Sequence, residues 1–242
     1  ALRSSVFNFE MTLGRAQDLL TRLDRDIFDE ACDHLLVRDV LTGHVVGTYR
    51  MQTGRAARSF HDYNTAREFD LTPFNTAREF DLSPFEPYRE ETVEIGRACV
   101  HAHYRTSRVL LALWGGIAAY LLAHRARYVL GCSSLFSQDE SAGMALYRKL
   151  AAQHPAPDHL STQPWSASAC RGSGENVPCP RVPGLLAAYL SLGGWIAAPP
   201  AVDRESGIID YLTLLDMRAL DPAAARLVLA RAAFTAAGAT LA

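Results

Sequence analysis

Glu94 and Arg97 stand three residues apart inside an otherwise apolar run, TVEIGRACVH at residues 92–101. Burying either charge without a partner costs several kcal/mol, so the pair must either form ion pairs or do chemistry. A regular strand alternates its side chains, which puts Glu94 with Gly96, Ala98 and Val100, and Arg97 with Val93, Ile95, Cys99 and His101. Gly96 lies between the two charges, and a glycine inside a strand often marks a bulge or a close approach of ligand to backbone. A bulge there would re-aim the charges and free backbone N–H groups, which are the parts of an acyl-transfer site. The plain alternative is structural: Glu94 paired with some arginine and Arg97 with some aspartate.

The elements that must position this pair follow from hydrophobic periodicity. Apolar runs at 34–40 and 45–51 flank Thr42 and Gly43, a hairpin signal. The run at 92–101 is followed by a helix from about 109 to 124, a second extended run RYVLGCSSL, and a helix over 141–153. GLLAAYLSLGG reads as a helix stopped by glycines, AAPPAVDRESGIIDYLTLLDM as a loop entering a strand, and 222–237 as an alanine-rich helix. Residues 13–24 are polar and helix-compatible. Two stretches break the pattern. NTAREFDLTPF is followed at once by NTAREFDLSPF, a tandem copy over 64–85 that differs only at Thr72 and Ser83. Two copies cannot build a solenoid, so the expectation is a duplicated loop or short helix-turn element on the surface. Residues 154–183 hold half of the twelve prolines, which predicts a long irregular connection that shapes or lids a site. The sum is one α/β (α+β) domain over 1–242, a mixed, largely antiparallel central sheet with helices on both faces.

Composition excludes several classes. With 49% apolar and 21% charged residues the chain is an ordinary folded protein. A net charge of −2 offers no global attraction to polyanions, so no nucleic-acid partner is expected. Five scattered cysteines make no disulfide scaffold, and no ligand spacing supports a metal site, so metal: none. The longest apolar run, 109–123, falls short of the roughly 20 residues a spanning helix needs. No secretory signal is visible and a reducing cytoplasm is the expected compartment, although the abrupt opening ALRSSVF leaves room for an upstream segment.

Seven stretches together resemble one family over nearly the whole chain: LRSSVFNFEMTLG, LDRDIFDEACDHLLVRDVLTGHVVGTYRM, EFDLSPF, EIGRACVHAHYRT, LLALWGGIAAYL, YVLGCSSL and AAPPAVDRESGIIDYLTLLDM. The resemblance is to GNAT-fold acyltransferases that acylate amines from acyl carrier protein, specifically the bacterial ornithine lipid N-acyltransferases, and more distantly to acyl-homoserine-lactone synthases. The shared pattern falls here on Arg3, Phe7, Asp26, Asp29, Arg50, Glu94 and Arg97.

What the resemblance implies is direct attack of an amine on the thioester of an acyl-phosphopantetheine, with no acylated enzyme and no permanently bound cofactor. The amine arrives as an ammonium, and Glu94 is the candidate general base, directly or through a water. N–H groups around Cys99 and Val100 are candidate oxyanion donors. Arg97 and Arg50 would hold Asp26 and Asp29 or a substrate carboxylate. Where GNAT enzymes carry a glycine-rich phosphate loop, this chain has Arg105, Thr106, Ser107 and Arg108, which suit the single phosphodiester of a carrier-protein arm better than a pyrophosphate. Arg105, Arg108, Arg125 and Arg127 would greet an acidic acyl carrier protein. Apolar stripes at 109–123 and 185–198 are candidates for an acyl slot. The implied reaction moves a long, 3-hydroxylated or plain, fatty acyl chain to an amino acid. Ornithine is favoured, with glycine, another amino acid, putrescine or an S-adenosylmethionine-derived amine as alternatives. The amphiphilic product implies peripheral contact with the inner membrane. A second class of reading is a catalytically idle acyl-carrier or lipid-binding module.

Overall fold

The computed structural model describes residues 2–11, 23–58 and 75–221, with residues 223 and 226. The helix expected over 13–24, the first repeat copy at 64–74 and the alanine-rich helix at 222–237 fall almost wholly outside the described residues.

Hydrophobic alternation builds a seven-stranded sheet. The hairpin forms where Gly43 turns the chain with φ +72°, between β1 (Asp33–Arg38) and β2 (Val45–Thr53). The opening stretch becomes β3 (Thr92–Val100), and RYVLGCSSL becomes β4 (Tyr128–Leu135). The two-residue β5 (Trp195–Ile196) and three-residue β6 (Ala201–Asp203) both pair with β7 (Ile208–Asp216), which is buried at every position. The order is β1-β2-β3-β4-β7-β5, with β6 beside β7. All pairs are antiparallel except β3 with β4.

That parallel pair is made possible by α1 (Ser107–Ala123), the crossover a parallel connection requires. α1 buries Val109, Leu113, Ile117 and Leu121 against Tyr49, Met51, Val93 and Ile95. α2 (Glu140–Gln153) and α3 (Gly184–Ser191) pack their leucines on Ile209 and Tyr211. These residues alternate with Arg50, Gln52, Glu94 and Asp210, which therefore point to the opposite face. Short 3-10 segments, Ile27–Ala31, Asn75–Arg78 and Ser83–Glu91, cover that second face. Helical structure thus lies on both faces, but of two kinds.

The second repeat copy corrects one expectation. It is no surface loop: Ala77, Phe80, Leu82 and Phe85 are all at most 4% exposed and pack on Leu130, Leu212 and Leu214. Burial of its aromatic and leucine side chains, each worth about 1.5–3 kcal/mol, holds this copy down. Residues 154–183 contain one short 3-10 turn, Asp158–Leu160, and are otherwise irregular.

Candidate active site

The parallel pairing of β3 and β4 stops early. Thr92, Val93 and Glu94 pair with Tyr128, Val129 and Leu130, and beyond them the strands part. A Cβ on Gly131 would lie 2.4 Å from the Ile95 carbonyl oxygen, so only a glycine lets the two backbones meet at the point of divergence. A cavity of about 420 Å³ opens in the split. Tyr49, Ile95, Leu185 and Tyr189 line it from the α-helical face, whereas Arg50, Gln52, Glu94 and Asp210 line it from the other, so the cavity passes through the sheet.

Glu94 borders this cavity and is 7% exposed. Among the described residues its carboxylate forms no ion pair, and Arg50 acts on it only through charge at a distance. It accepts hydrogen bonds from the backbone N–H groups of Asn75 (2.8 Å) and Thr76 (2.7 Å) and from the Thr76 hydroxyl. Burial raises its pKa, and the three donors offset that only in part. A carboxylate so poised is a stronger base than an exposed glutamate.

The bulge expected at Gly96 falls one residue later. Gly96 keeps register with Arg50 and has open space around it, whereas Arg97 takes φ +49° and the register shifts between Thr48 and Arg50. This left-handed residue turns Arg97 onto the cavity beside Glu94. Its guanidinium lies 3.6 Å from Asp24 and 3.4 Å from Asp26, and over the Phe7 ring at 5.5 Å.

The other arginines of the pattern are held much more tightly. Arg50 reaches both Asp26 oxygens at 2.6 and 2.7 Å and Asp29 at 3.1 Å. Arg3 pairs with Asp24 at 2.6 Å and with Asp29 at 2.6 Å. Asp26 caps the turn Ile27–Ala31, accepting from Phe28 N–H, and its own N–H donates to Asp29 at 3.0 Å. Burial pulls Asp29 upward, but hydrogen bonds and charge from Arg3 and Arg50 outweigh it and leave its pKa at about 2. Arg3, Asp26, Asp29 and Arg50 thus brace the site, and Phe7, Arg50, Glu94 and Arg97 face the cavity.

The remaining candidates sit apart from the cavity wall. His101 N–H donates to Val46 on β2, so by alternation the Cys99 amide faces β2 and the Val100 amide faces the open edge of β3. The Val100 carbonyl accepts from Arg105, whose guanidinium also binds Glu10 at 2.5 Å. Thr106 is the N-cap of α1 and makes no side-chain cap bond; Ser107 and Arg108 are exposed in its first turn. Arg127 is tied to Asp216 at 2.8 Å. α1 supplies no cavity-lining residue, whereas α3 supplies Leu185, Leu186 and Tyr189. Burial raises the Cys99 pKa to about 12 and that of Cys132 well above its usual value, so both stay protonated thiols, unsuited to nucleophilic attack.

Sequence reasoning missed Asp24, Gln52, Thr76, Glu79, Asp210 and the hydrogen-bonded hydroxyls of Tyr49 and Tyr189, 3.0 Å apart. For Asp210 a signal existed: a charge in the middle of the apolar strand GIIDYLTLL, the same anomaly that marks Glu94.

Comparison with known proteins supplies the family. Residues 2–115 match the model of an acetyltransferase (GNAT) domain. The L-ornithine N(alpha)-acyltransferase of Rhodobacter capsulatus is 30% identical over 232 residues, spanning 90% of this chain and 85% of that protein. The protein of the same name from Agrobacterium fabrum is 28% identical, spanning 91% and 76%. A CoA-dependent acyl-homoserine lactone synthase, BjaI, superposes with a TM-score of 0.48 at 12% identity, covering 96% of this chain and 79% of that one. No helix among the described residues is long and apolar enough to cross a membrane. An idle lipid-binding module is set aside by these relationships: the protein is an acyltransferase, and the chain belongs to the L-ornithine N(alpha)-acyltransferase family with its GNAT domain.

Proposed function

We propose that the protein transfers a long-chain fatty acyl group from acyl carrier protein to the α-amino group of ornithine. The observation that carries this reading is the cavity through the β3–β4 split, with Glu94 at one side of it and a loosely paired arginine beside that carboxylate. The names of the relatives support the acceptor.

Beyond Glu94 the inner edge of β3 lacks a β4 partner, so an extended, amide-bearing pantetheine arm can add along it as a strand would. The thioester then lies in the split, with its acyl tail toward Leu185, Leu186 and Ile95. Arg97 takes the acceptor carboxylate, since its existing pairs are long and its side chain is 34% exposed. Glu94 receives a proton from the ammonium, and the freed nitrogen attacks the carbonyl carbon. The C–N bond forms as the carbonyl becomes an oxyanion, for which an open-edge amide of β3 just beyond the Arg97 bulge, where Ala98 lines the cavity, is the candidate donor in place of the more distant Val100. Collapse breaks the C–S bond, and the departing thiolate takes up the second proton shed by the attacking nitrogen, so that amide and free thiol are formed together. Thr106, Ser107 and Arg108 at the start of α1 receive the phosphodiester.

The experiment offers purified protein long-chain acyl carrier protein or the matching acyl-CoA, with ornithine, glycine or putrescine, and reads products by mass spectrometry. N-acyl-ornithine formed fastest from the carrier-protein donor is the expected result. Preference for acyl-CoA would overturn the donor, and preference for another amine would overturn the acceptor.

A further inference from the structure

Three polar groups in the cavity wall lie outside the reaction just described. Glu79, from the second repeat copy, and Asp210, at the middle of the sheet's most buried strand, bring their carboxyl oxygens together with Cys132 Sγ inside 4.8 Å. Glu79 Oε2 is sealed from solvent and has no hydrogen-bond partner among the described residues. Asp210 is 4% exposed and accepts from the Ser134 hydroxyl at 2.5 Å. On the same face Gln52, 1% exposed and directly opposite Glu94 in register, lines the cavity, and neither its amide nitrogen nor its amide oxygen is bonded among the described residues. Buried polar groups without partners are costly, and in a cavity wall they mark the partners a ligand brings.

We infer that Glu79 and Asp210 form a subsite for the distal ammonium of the acceptor, so that the enzyme selects diamino acids by the charge at the far end of their side chain. This rests on the proposed acylation of an amino acid. Gln52 offers one donor and one acceptor beside Glu94, the complement of an amino acid's carboxylate and amine. The acid pair lies a short step further on. The Thr76 hydroxyl that bonds Glu94 is 3.9 Å from Cys132 Sγ, which in turn borders the pair. The two nitrogens of an extended 2,5-diamino acid stand about 6 Å apart by ordinary bond lengths, a span that joins Glu94 to the pair with a hydrogen bond at each end. Two carboxylates this close cannot both ionise without a cation. In the empty site burial first, and then the neighbouring carboxylate, push Glu79 upward; burial does the same for Asp210. Asp203 adds negative charge, while Arg78 and Arg97 are the cations acting on the pair. An ammonium is therefore the ligand that lets the held proton leave.

The test compares ornithine with norvaline, which lacks only the distal amine. Wild-type kcat/KM favours ornithine by more than about a hundredfold, since a site built for a polar group the analogue lacks can discriminate by up to about 10⁴-fold. Glu79→Gln and Asp210→Asn each cut that ratio about tenfold or more. Should either variant misfold, calorimetry on the wild type in two buffers decides: ornithine binding releases more protons than norvaline binding, a comparison in which the shared α-ammonium cancels. Acylation of both amino acids at equal efficiency would overturn the subsite while leaving amine acylation standing. No acyl transfer and no ornithine binding would overturn both. Stoichiometric zinc retained by the wild type and lost from Glu79→Gln would also overturn the inference, since the same three side chains would then be metal ligands.

Discussion

Glu94 acts through its surroundings, and those surroundings make its role measurable. As general base it must be ionised, so the rate falls as pH drops through its pKa, and burial places that acid limb above the usual glutamate range. Glu94→Gln is expected to lower kcat about a hundredfold with the melting temperature preserved. Thr76→Val removes the hydroxyl donor that favours the ionised form, so the acid limb of kcat against pH moves upward; an unmoved limb would show that Thr76 does not tune the base. At this scale the sequence was partly legible. A charge inside an apolar run is visible, and Glu94 and Arg97 stood out on that ground, whereas Arg50 stood out through the family resemblance. Thr76 was not legible, because its partner lies 18 positions away and nothing local announces a cap on another strand's carboxylate.

The elements decide where those charges point. Gly131 stands at the divergence of β3 and β4, where any larger residue meets backbone rather than a yielding side chain. Gly131→Ala is expected to destabilise the fold by about 1–3 kcal/mol, the range for overpacking, and to lower activity by shifting β3 against β4; equilibrium urea unfolding checks the first part. The repeat makes a sharper prediction. The second copy packs against the sheet, so a chain lacking residues 64–74 keeps Thr76, Glu79 and the buried aromatics and carries Tyr63 directly before Asn75 in place of Phe74. Activity within a few-fold of the full chain is the expected outcome, measured as kcat/KM. Strands and helices were readable here because period-2 and period-3.6 patterns are local. The bulge position was not: Gly96 is the residue a bulge would favour, yet Arg97 takes the left-handed conformation, pulled over by Asp24, Asp26 and Phe7 from another part of the chain.

For the whole molecule, the Arg3–Asp24–Asp26–Asp29–Arg50 cluster ties the amino-terminal segment to the sheet. Removing one member leaves buried charge without a counter-ion, so Arg50→Met is expected to cost about 3–5 kcal/mol in urea unfolding. Asp29 is held at about 2, below its ordinary 3.8, so its stabilisation is complete above about pH 4 and is lost as pH falls from there through about 2. The acid loss of stability should therefore be smaller in Asp29→Asn than in the wild type. Glu79, Asp210 and Glu94 carry the opposite sign: their raised pKa values cost stability as pH rises from the unfolded carboxylate range near about 4, through about 6 for Asp210 and about 9 for Glu79. By itself the sequence determined the order of the long strands and helices among the described residues, though not the short β5 and β6 it read as loop, together with the hairpin, the anomalous charges of β3 and the family, because these rest on local periodicity and on motifs that can be read in one dimension. Only the tertiary structure decided that β3 and β4 part after Glu94, that the repeat's second copy is core and holds the base, and that Glu79 and Asp210 share one corner. Those are meetings of residues far apart in the chain, selected by packing and by the need to pair buried charge, and no spacing records them.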